Sequence, residues 1–243
     1  MRSGNPILRK DIFKSEGSHF SDVMTIEGTV NKTFFLFFLL VLSAFFVWNK
    51  PFVYLLYVPE ISTSAFIVAL ITVFKKDWSP ITSIIYAILE GVLIGIISAI
   101  FEQAYQGIVL QAFLLTLGTL FSMLMIYKFK LIQVTEHFKL GVFAATGSIF
   151  LIYWGNMIMG FYGSQMSGIH ENGWKGIAFS VVVIIIAAFN FVLDFDFIEK
   201  GSESEAPKYM EWYSAFGLLI TLIWLYLEIL RLLVKAIEIS RNK

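Results

Sequence analysis

The chain has 243 residues, of which 58% are hydrophobic and 17% aromatic, and its eighteen basic residues balance eighteen acidic ones. This composition is too apolar for a water-soluble domain and is typical of a membrane protein with several spans, while the zero net charge gives no reason to expect a nucleic-acid partner. The absence of cysteine excludes disulfides, thiol nucleophiles and cysteine-based metal sites.

Seven apolar segments follow one another along the chain, and each approaches the roughly 20 residues that a transmembrane helix needs. They are residues 34–48, 57–74, 81–101, 108–127, 140–162, 176–198 and 211–234. Pro59 and Glu60 interrupt the second segment, so six spans are the alternative. We predict an all-α membrane protein, a seven-transmembrane-helix bundle over residues 34–235, between a polar N-terminal tail (1–33) and a short C-terminal tail (236–243).

The distribution of basic residues predicts the orientation of the bundle. Residues 1–33 lack the apolar stretch and cleavage site of a secretory signal peptide, so we expect this tail to stay on the protein. With a cytoplasmic N-terminus, the inner segments carry twelve of the eighteen Lys and Arg residues and the outer segments carry six. Because cytoplasmic loops are enriched in Lys and Arg, we predict a cytoplasmic N-terminus and an external C-terminus. Asp194 then lies about one helical turn inside the cytoplasmic face.

Polar residues recur every seven positions along the last two predicted spans. Those of the seventh span are Ser214, Thr221, Glu228 and Lys235. The sixth has Ser180 and Asp194 fourteen residues apart, with the small residue Ala187 midway between them and Asn190 four residues before Asp194. Positions seven apart fall nearly on one face of a helix. We therefore predict two polar stripes that face each other inside the bundle and away from lipid.

Small residues on the third and fourth spans predict two further packing faces. The third span has Gly91 and Gly95 on the face that carries Glu90, and the fourth has Gly118 and Ser122 together with Gln111. Small side chains let the backbones of membrane helices approach closely. We expect both faces to contact other helices.

Three acids lie within the predicted spans. A charge at the centre of a bilayer costs about 2.5–3.5 kcal/mol on insertion scales, so an acid there is a candidate functional residue. We interpret Glu90, Asp194 and Glu228 in this way. The alternative is that they are structural acids that hydrogen-bond to neighbouring helices. Arg231 follows Glu228 by three residues and is expected to form an ion pair near the outer interface.

Further acids surround the predicted cytoplasmic end of the sixth span. Asp196 lies about 200° around the helix from Asp194, so it either faces the interface or marks the end of the helix. With Glu211 at the start of the seventh span, Asp196 could form a cytoplasmic collar that attracts cations.

Familiar catalytic patterns are missing from the chain. It has no HExxH zinc motif, no GxSxG nucleophile motif and no lysine in the middle of the last span, where a retinal protein needs one. We expect neither enzymatic activity nor a cofactor, apart from Ca²⁺ as a permeant or bound ion.

Several segments point to a known family. They are MTIEGTVNKT (24–33), LEGVLIGIISAIFE (89–102), YQGIVLQAFLLTLGT (105–119) and, most specifically, LDFDFIEKG (193–201) followed by APKYMEWYSAFGLLITLIWLYLEILRLL (206–233). In these segments the chain resembles the bacterial, YccA-like branch of the transmembrane Bax inhibitor motif family. The resemblance implies seven helices with the last one central, and a calcium leak in the bacterial plasma (inner) membrane that responds to pH through two aspartates.

The resemblance carries over to one of the two aspartates only. The first matches Asp194, and ungapped alignment places Thr221 at the position of the second. A hydroxyl cannot share a proton with Asp194 as a carboxylate would. Asp196, Glu211 or Glu90 could take the place of the second aspartate.

The functional prediction is a pH-sensitive passive cation pathway, most plausibly for Ca²⁺, which takes oxygen ligands. Asp194 would be the gate or sensor, with Glu90, Glu228, Thr221 and Asn190 along the pathway. Asp194 and Asp196 are the candidate Ca²⁺ ligands. The alternatives are an interaction protein that docks on a membrane protease or another assembly, and a proton-coupled transporter in which Glu90 and Glu228 form a relay.

Overall fold

The computed structural model describes residues 23–161 and 173–241. Within these ranges the chain forms helices, and Val23 and Pro207 form an isolated antiparallel β-bridge. The helices are α1 (Ile26–Trp48), α2 (Pro51–Leu55), α3 (Val58–Phe74), α4 (Ser79–Ala104), α5 (Ile108–Lys128), α6 (Glu136–Phe161), α7 (Trp174–Glu203) and α8 (Met210–Arg241), with a 3₁₀ turn (Lys76–Trp78) before α4. The predicted all-α class is confirmed for the described residues.

Six of the helices are long and apolar enough to cross a membrane, namely α1 and α4 to α8. The protein is therefore an integral membrane protein. The second predicted span coincides with α3, which has 17 residues and is shorter than the other six. Pro59 lies in the first turn of α3, where its missing N–H has no partner to lose. A seventh span and the orientation of the termini stay predictions.

Two helix ends differ from the sequence-based expectation. α1 begins at Ile26, within the predicted polar tail, because the Thr25 hydroxyl accepts a hydrogen bond from the Gly28 N–H (3.0 Å) and caps the helix. α7 continues past Asp196 to Glu203. The alternative in which the helix ends at Asp196 is therefore wrong.

Helices α1 and α4 approach each other closely at two glycines. A Cβ at Gly95 would lie 2.5 Å from the Ala44 carbonyl oxygen and 2.6 Å from the Ala44 Cα, and a Cβ at Gly91 would collide with the backbone at Leu40. The packing face predicted for the third span is confirmed, and its partner is α1.

The packing face predicted for the fourth span is wrong. Gln111, Gly118 and Ser122 are exposed, and a Cβ at Gly118 would meet nothing within 4 Å. The Ser122 hydroxyl donates to the Gly118 carbonyl of its own helix (2.8 Å), so it needs no partner from a neighbour. The buried residues of α5 lie on another face and are Ile108, Ala112, Thr116 and Met123.

Helix α8 lies at the centre of the bundle. It packs against α1, α4, α5 and α7, and its buried residues extend from Glu211 to Lys235. The start of α4 is also joined to the turn before α8, because the Ser79 hydroxyl donates to the Tyr209 carbonyl (2.9 Å). The central helix is thus held along most of its length.

The close approach of α1 and α4 can be tested with Gly95→Ala. The added methyl group would force the α1 backbone away, and overpacking of this kind costs about 1–3 kcal/mol. We expect a lower Tm for the purified protein in detergent. Gly118→Ala is the matched control, because the space around Gly118 is open; an equal loss of Tm in both variants would contradict the packing described.

Candidate functional site

Hydrogen bonds at two levels join the polar stripes of α7 and α8. The Thr221 hydroxyl donates to Asp194 Oδ2 (2.7 Å), and Lys235 Nζ donates to Ser180 Oγ (3.0 Å). Fourteen residues separate the two levels on each helix, so the antiparallel helices keep one register between them. The contacts confirm that the predicted stripes face each other at these two levels, whereas Asn190 of the α7 stripe and Glu228 of the α8 stripe contact α6. We call this contact the α7–α8 seam.

The first level contains Asp194 and Thr221. Asp194 forms no ion pair within the described parts of the chain, and it accepts a hydrogen bond from Thr221. The Thr221 hydroxyl also lies 3.3 Å from the Gly217 carbonyl. Asp194 Oδ1 is 4.0 Å from the point where a Cβ at Gly217 would stand. The residue that the resemblance places opposite Asp194 does contact it.

Glu228 lies between these two levels on α8 and is 1% exposed. Its Oε2 accepts hydrogen bonds from the Tyr153 hydroxyl of α6 and from Arg231 Nη1, each at 2.8 Å. The Arg231 guanidinium also lies over the Tyr153 ring. The ion pair expected for Arg231 is therefore formed with Glu228. The second carboxylate oxygen, Oε1, is buried and has no hydrogen-bond partner in the described structure.

The other bonded level contains the buried ammonium group of Lys235. Besides Ser180, it bonds to the Gly176 carbonyl at the start of α7 (3.2 Å). Ser180 is fully buried and Lys235 is 4% exposed. These oxygens hold the positive charge at the far end of the seam from Ser214.

Two other pathway candidates lie away from the Asp194–Thr221 pair. The Asn190 amide donates to the Thr146 hydroxyl of α6 (2.9 Å) and to the Ile186 carbonyl (2.8 Å). Glu90 lies beside the Tyr86 hydroxyl on α4. The Tyr86 ring packs edge-on against Phe216 of α8, with 4.9 Å between the centroids. Asn190 therefore connects α7 to α6, whereas Glu90 reaches α8 through an aromatic contact.

The two members of the predicted collar, Asp196 and Glu211, lie at the same end of the bundle but form ion pairs with different lysines. Asp196 Oδ2 pairs with Lys200 (2.7 Å) and with Lys139 of α6 (3.2 Å). Glu211 is fully buried, and it pairs with Lys32 of α1 and with Lys208 (2.9 Å). It also accepts hydrogen bonds from the backbone N–H and the hydroxyl of Thr25, both at 2.8 Å. Glu211 thus fixes the start of α8 to the start of α1.

Sequence reasoning missed three residues of these clusters. Thr25 and Lys32 lie in a segment that was assigned to the polar tail, although a threonine followed by Glu27 and an apolar run is a helix-start signal. Tyr153 is a single tyrosine in an apolar span, and nothing in the sequence relates it to Glu228.

Calcium usually takes six to eight oxygen ligands. Within residues 23–161 and 173–241, no three His, Cys, Asp or Glu side chains come together as a metal site. Asp194 and Asp196 are therefore single carboxylates in separate surroundings. A cation that passes them would complete its coordination with hydroxyl, carbonyl or water oxygens.

Comparison of the sequence with known protein families identifies the group to which the chain belongs. The sequence model of the Bax inhibitor 1 like family matches residues 5–238. The chain belongs to the Bax inhibitor 1 like family. The resemblance seen in the sequence is confirmed at the level of this family, and its YccA-like branch stays an expectation. Searches of curated proteins and of solved structures gave no significant match.

In this family member, the role of Glu211 can be tested with Glu211→Ala. The change leaves Lys32, Lys208 and Thr25 without their common partner, and removal of one member of a buried ion pair costs about 3–5 kcal/mol. We expect a clearly lower Tm in detergent. Glu203→Gln removes a charge from an exposed site at the same end of the bundle and should leave Tm unchanged. Equal Tm values for both variants would show that Glu211 does not hold α1 to α8.

Proposed function

We propose that the protein is a pH-sensitive passive pathway for cations, with Ca²⁺ as the main candidate, and that it runs along the α7–α8 seam. The observation that carries the proposal is the Asp194 carboxylate within a membrane-spanning helix, bonded to the Thr221 hydroxyl and without an ion-pair partner in the described chain. A charge that only stabilised the fold would be expected to have a compensating cation, as Glu211 has.

The spacing of the polar levels supports the proposal. Ser214, Thr221, Glu228 and Lys235 follow one another at seven-residue intervals, which is about 10 Å per step. The whole series covers about 31 Å, close to the hydrocarbon thickness of about 30 Å. All four side chains are buried. A series of polar groups therefore extends through a length of the bundle that matches the membrane.

The oxygens along the seam suit a hard cation. The Ser214 hydroxyl and Glu228 Oε1 are buried and have no hydrogen-bond partner in the described structure, which leaves them able to bind water or a cation. Protons and cations compete for a carboxylate, because each of them neutralises its charge. A pathway that depends on Asp194 should therefore respond to pH.

The positive groups at the other end of the seam favour a slow leak over a fast channel. Arg231 is paired with Glu228, so together they add little net charge. The Lys235 ammonium is buried nearby and repels a passing cation. In a low-dielectric interior such a charge raises the barrier more than it would in water.

The decisive experiment measures Ca²⁺ flux into proteoliposomes over a series of pH values. In the parent protein, the ratio of charged to neutral Asp194 changes about tenfold per pH unit around its titration, and flux should follow it. Asp194→Asn removes the titrating group, so we expect its flux to lose most of this dependence. Glu203→Gln is the control and should behave as the parent does.

The outcome also separates the alternatives. Unchanged flux in both Asp194→Asn and Glu90→Gln would overturn the proposed pathway. Flux that follows an imposed proton gradient, and not the Ca²⁺ gradient alone, would indicate a proton-coupled transporter. A docking protein should lose binding to its partner assembly when residues 1–22 are removed, whereas a leak should keep its Ca²⁺ flux. The deletion should stop there, because the Met24 N–H bonds to the Ala206 carbonyl (2.7 Å) and Thr25 binds Glu211.

A second substitution tests whether Thr221 sets the form of the pH response. Thr221→Asp places a carboxylate within hydrogen-bond distance of Asp194, and two acids so close titrate as a pair in two steps. We expect one step in the flux against pH curve of the parent and two in the variant. Thr221→Val removes the hydroxyl without adding an acid and should keep one step. Two steps in the parent itself would mean that Asp194 already has a carboxylate partner.

A further inference from the structure

A long apolar groove separates α1 from α5 on the outside of the bundle. Its volume is about 980 Å³. Val30 and Phe34 of α1 form one wall, and Leu120 and Leu124 of α5 form the other. Phe191 of α7 and Leu218 of α8 lie on its floor. We call this space the α1–α5 groove.

The length of the α1–α5 groove matches that of an acyl chain in one leaflet. It follows α1 from Ile26 to Phe37, which is about 17 Å of helix. Half of the hydrocarbon core measures about 15 Å. At Phe37 the groove is interrupted, because the Phe37 ring stacks on Phe113 of α5 with 6.3 Å between the centroids. A smaller cavity of about 440 Å³ lies beyond this contact.

The charged end of the groove lies where α1 begins and α5 ends. Lys128, Lys130 and Gln133 line it there, and all three are exposed. Neither lysine has an ion-pair partner among the residues that the structure describes. Two ammonium groups without an ion-pair partner in the described chain thus stand at the mouth of a groove whose lining is mostly apolar, apart from Asp196, Glu199 and a few neutral polar side chains.

The acids at the same end are already bonded. Asp196 is paired with Lys139 and Lys200, and Glu199 accepts a hydrogen bond from the Tyr127 hydroxyl. Asp196 is thus balanced by lysines, whereas Glu199 keeps its negative charge, because the Tyr127 hydroxyl is neutral. Glu199 forms no ion pair with Lys128 or Lys130 in the described chain, so two positive charges stand against one negative charge at the mouth.

We propose that the α1–α5 groove binds one anionic phospholipid. The phosphate group would be held by Lys128 and Lys130, with the Gln133 amide as a further donor, and one acyl chain would lie along the groove as far as Phe37. This site is separate from the proposed ion pathway and does not depend on it.

The headgroup, and not the chain, decides which lipid binds. An acyl chain gains little hydrophobic energy when it moves from surrounding lipid into an apolar groove, because both environments are hydrocarbon. A Lys near an anionic membrane surface strengthens attachment about fivefold. Because Glu199 offsets one of the two lysines, we expect a preference of about fivefold for an anionic over a zwitterionic lipid with the same chains.

The test uses the full chain in detergent, titrated with dioleoyl phosphatidylglycerol or dioleoyl phosphatidylcholine, with native mass spectrometry to count the bound lipid. The parent should retain one phosphatidylglycerol about fivefold more tightly than phosphatidylcholine. The double variant Lys128→Gln, Lys130→Gln should lose this preference. Lys75→Gln with Lys76→Gln is the matched control, because these lysines lie at the same end of the bundle but outside the groove.

Two further arms make the result specific to the groove. Val30→Trp introduces a large ring at a partly exposed position of the wall and should weaken binding of either lipid. Glycerol phosphate, which carries the charge without the chain, should not displace the bound lipid at equal concentration.

Several outcomes would overturn the proposal. They are equal retention of the two lipids by the parent, an equal loss of preference in the Lys75/Lys76 control, displacement by glycerol phosphate, and a groove closed by a second copy of the chain. A deletion of residues 1–22 that raises lipid binding severalfold would identify that segment as the native occupant and would also overturn it.

Discussion

The arrangement of the protein depends on the need to satisfy polar groups where no water is available. An unsatisfied polar group in the hydrocarbon region costs several kcal/mol, so most buried polar side chains find a partner within the bundle, and the Ser214 hydroxyl and Glu228 Oε1 are the exceptions in the described structure. At two levels of the α7–α8 seam, the partners come from the facing helix. Thr221 bonds to Asp194 and Lys235 bonds to Ser180, and both contacts require the same register. A shift of α8 along α7 would break them together.

The two ends of α8 are held by charge, whereas Thr221 between them bonds to an acid of α7. At one end, Glu211 is surrounded by Lys32, Lys208 and Thr25. At the other, Lys235 is enclosed by oxygens of α7. Asp194 lies between them without an ion-pair partner in the described chain. A change in its protonation would therefore alter the seam at the level of Thr221 while the contacts at both ends of α8 remain.

The same apolar residues of α7 and α8 lie between the polar seam and the α1–α5 groove. Phe191 and Phe195 belong to the turns of α7 around Asp194, and Leu218 and Leu222 lie near Thr221 on α8. These apolar side chains form the floor of the groove and separate it from the polar seam. An acyl chain in the groove would cover this floor and keep water away from it.

The amino-acid sequence by itself determined the class of the protein, the positions of its long helices and the two polar stripes. These features follow from local properties, namely apolar length and the seven-residue period of Ser214, Thr221, Glu228 and Lys235. The sequence also indicated Gly91 and Gly95 as a close-packing face, because small residues on an apolar helix have few other uses. It could not distinguish them from Gly118, which is equally small but lies on the outside.

Only the tertiary structure decided which groups meet. The partners Tyr153 and Glu228 are 75 residues apart, and Lys32 and Glu211 are 179 apart. No local pattern relates residues at such separations, because their contact depends on how every helix between them packs. Only the tertiary structure therefore distinguishes the roles of the acids. Glu211 is surrounded by lysine ammonium groups and holds α1 and α8 together. Asp194 accepts a hydrogen bond from a hydroxyl and remains the candidate for the response to pH.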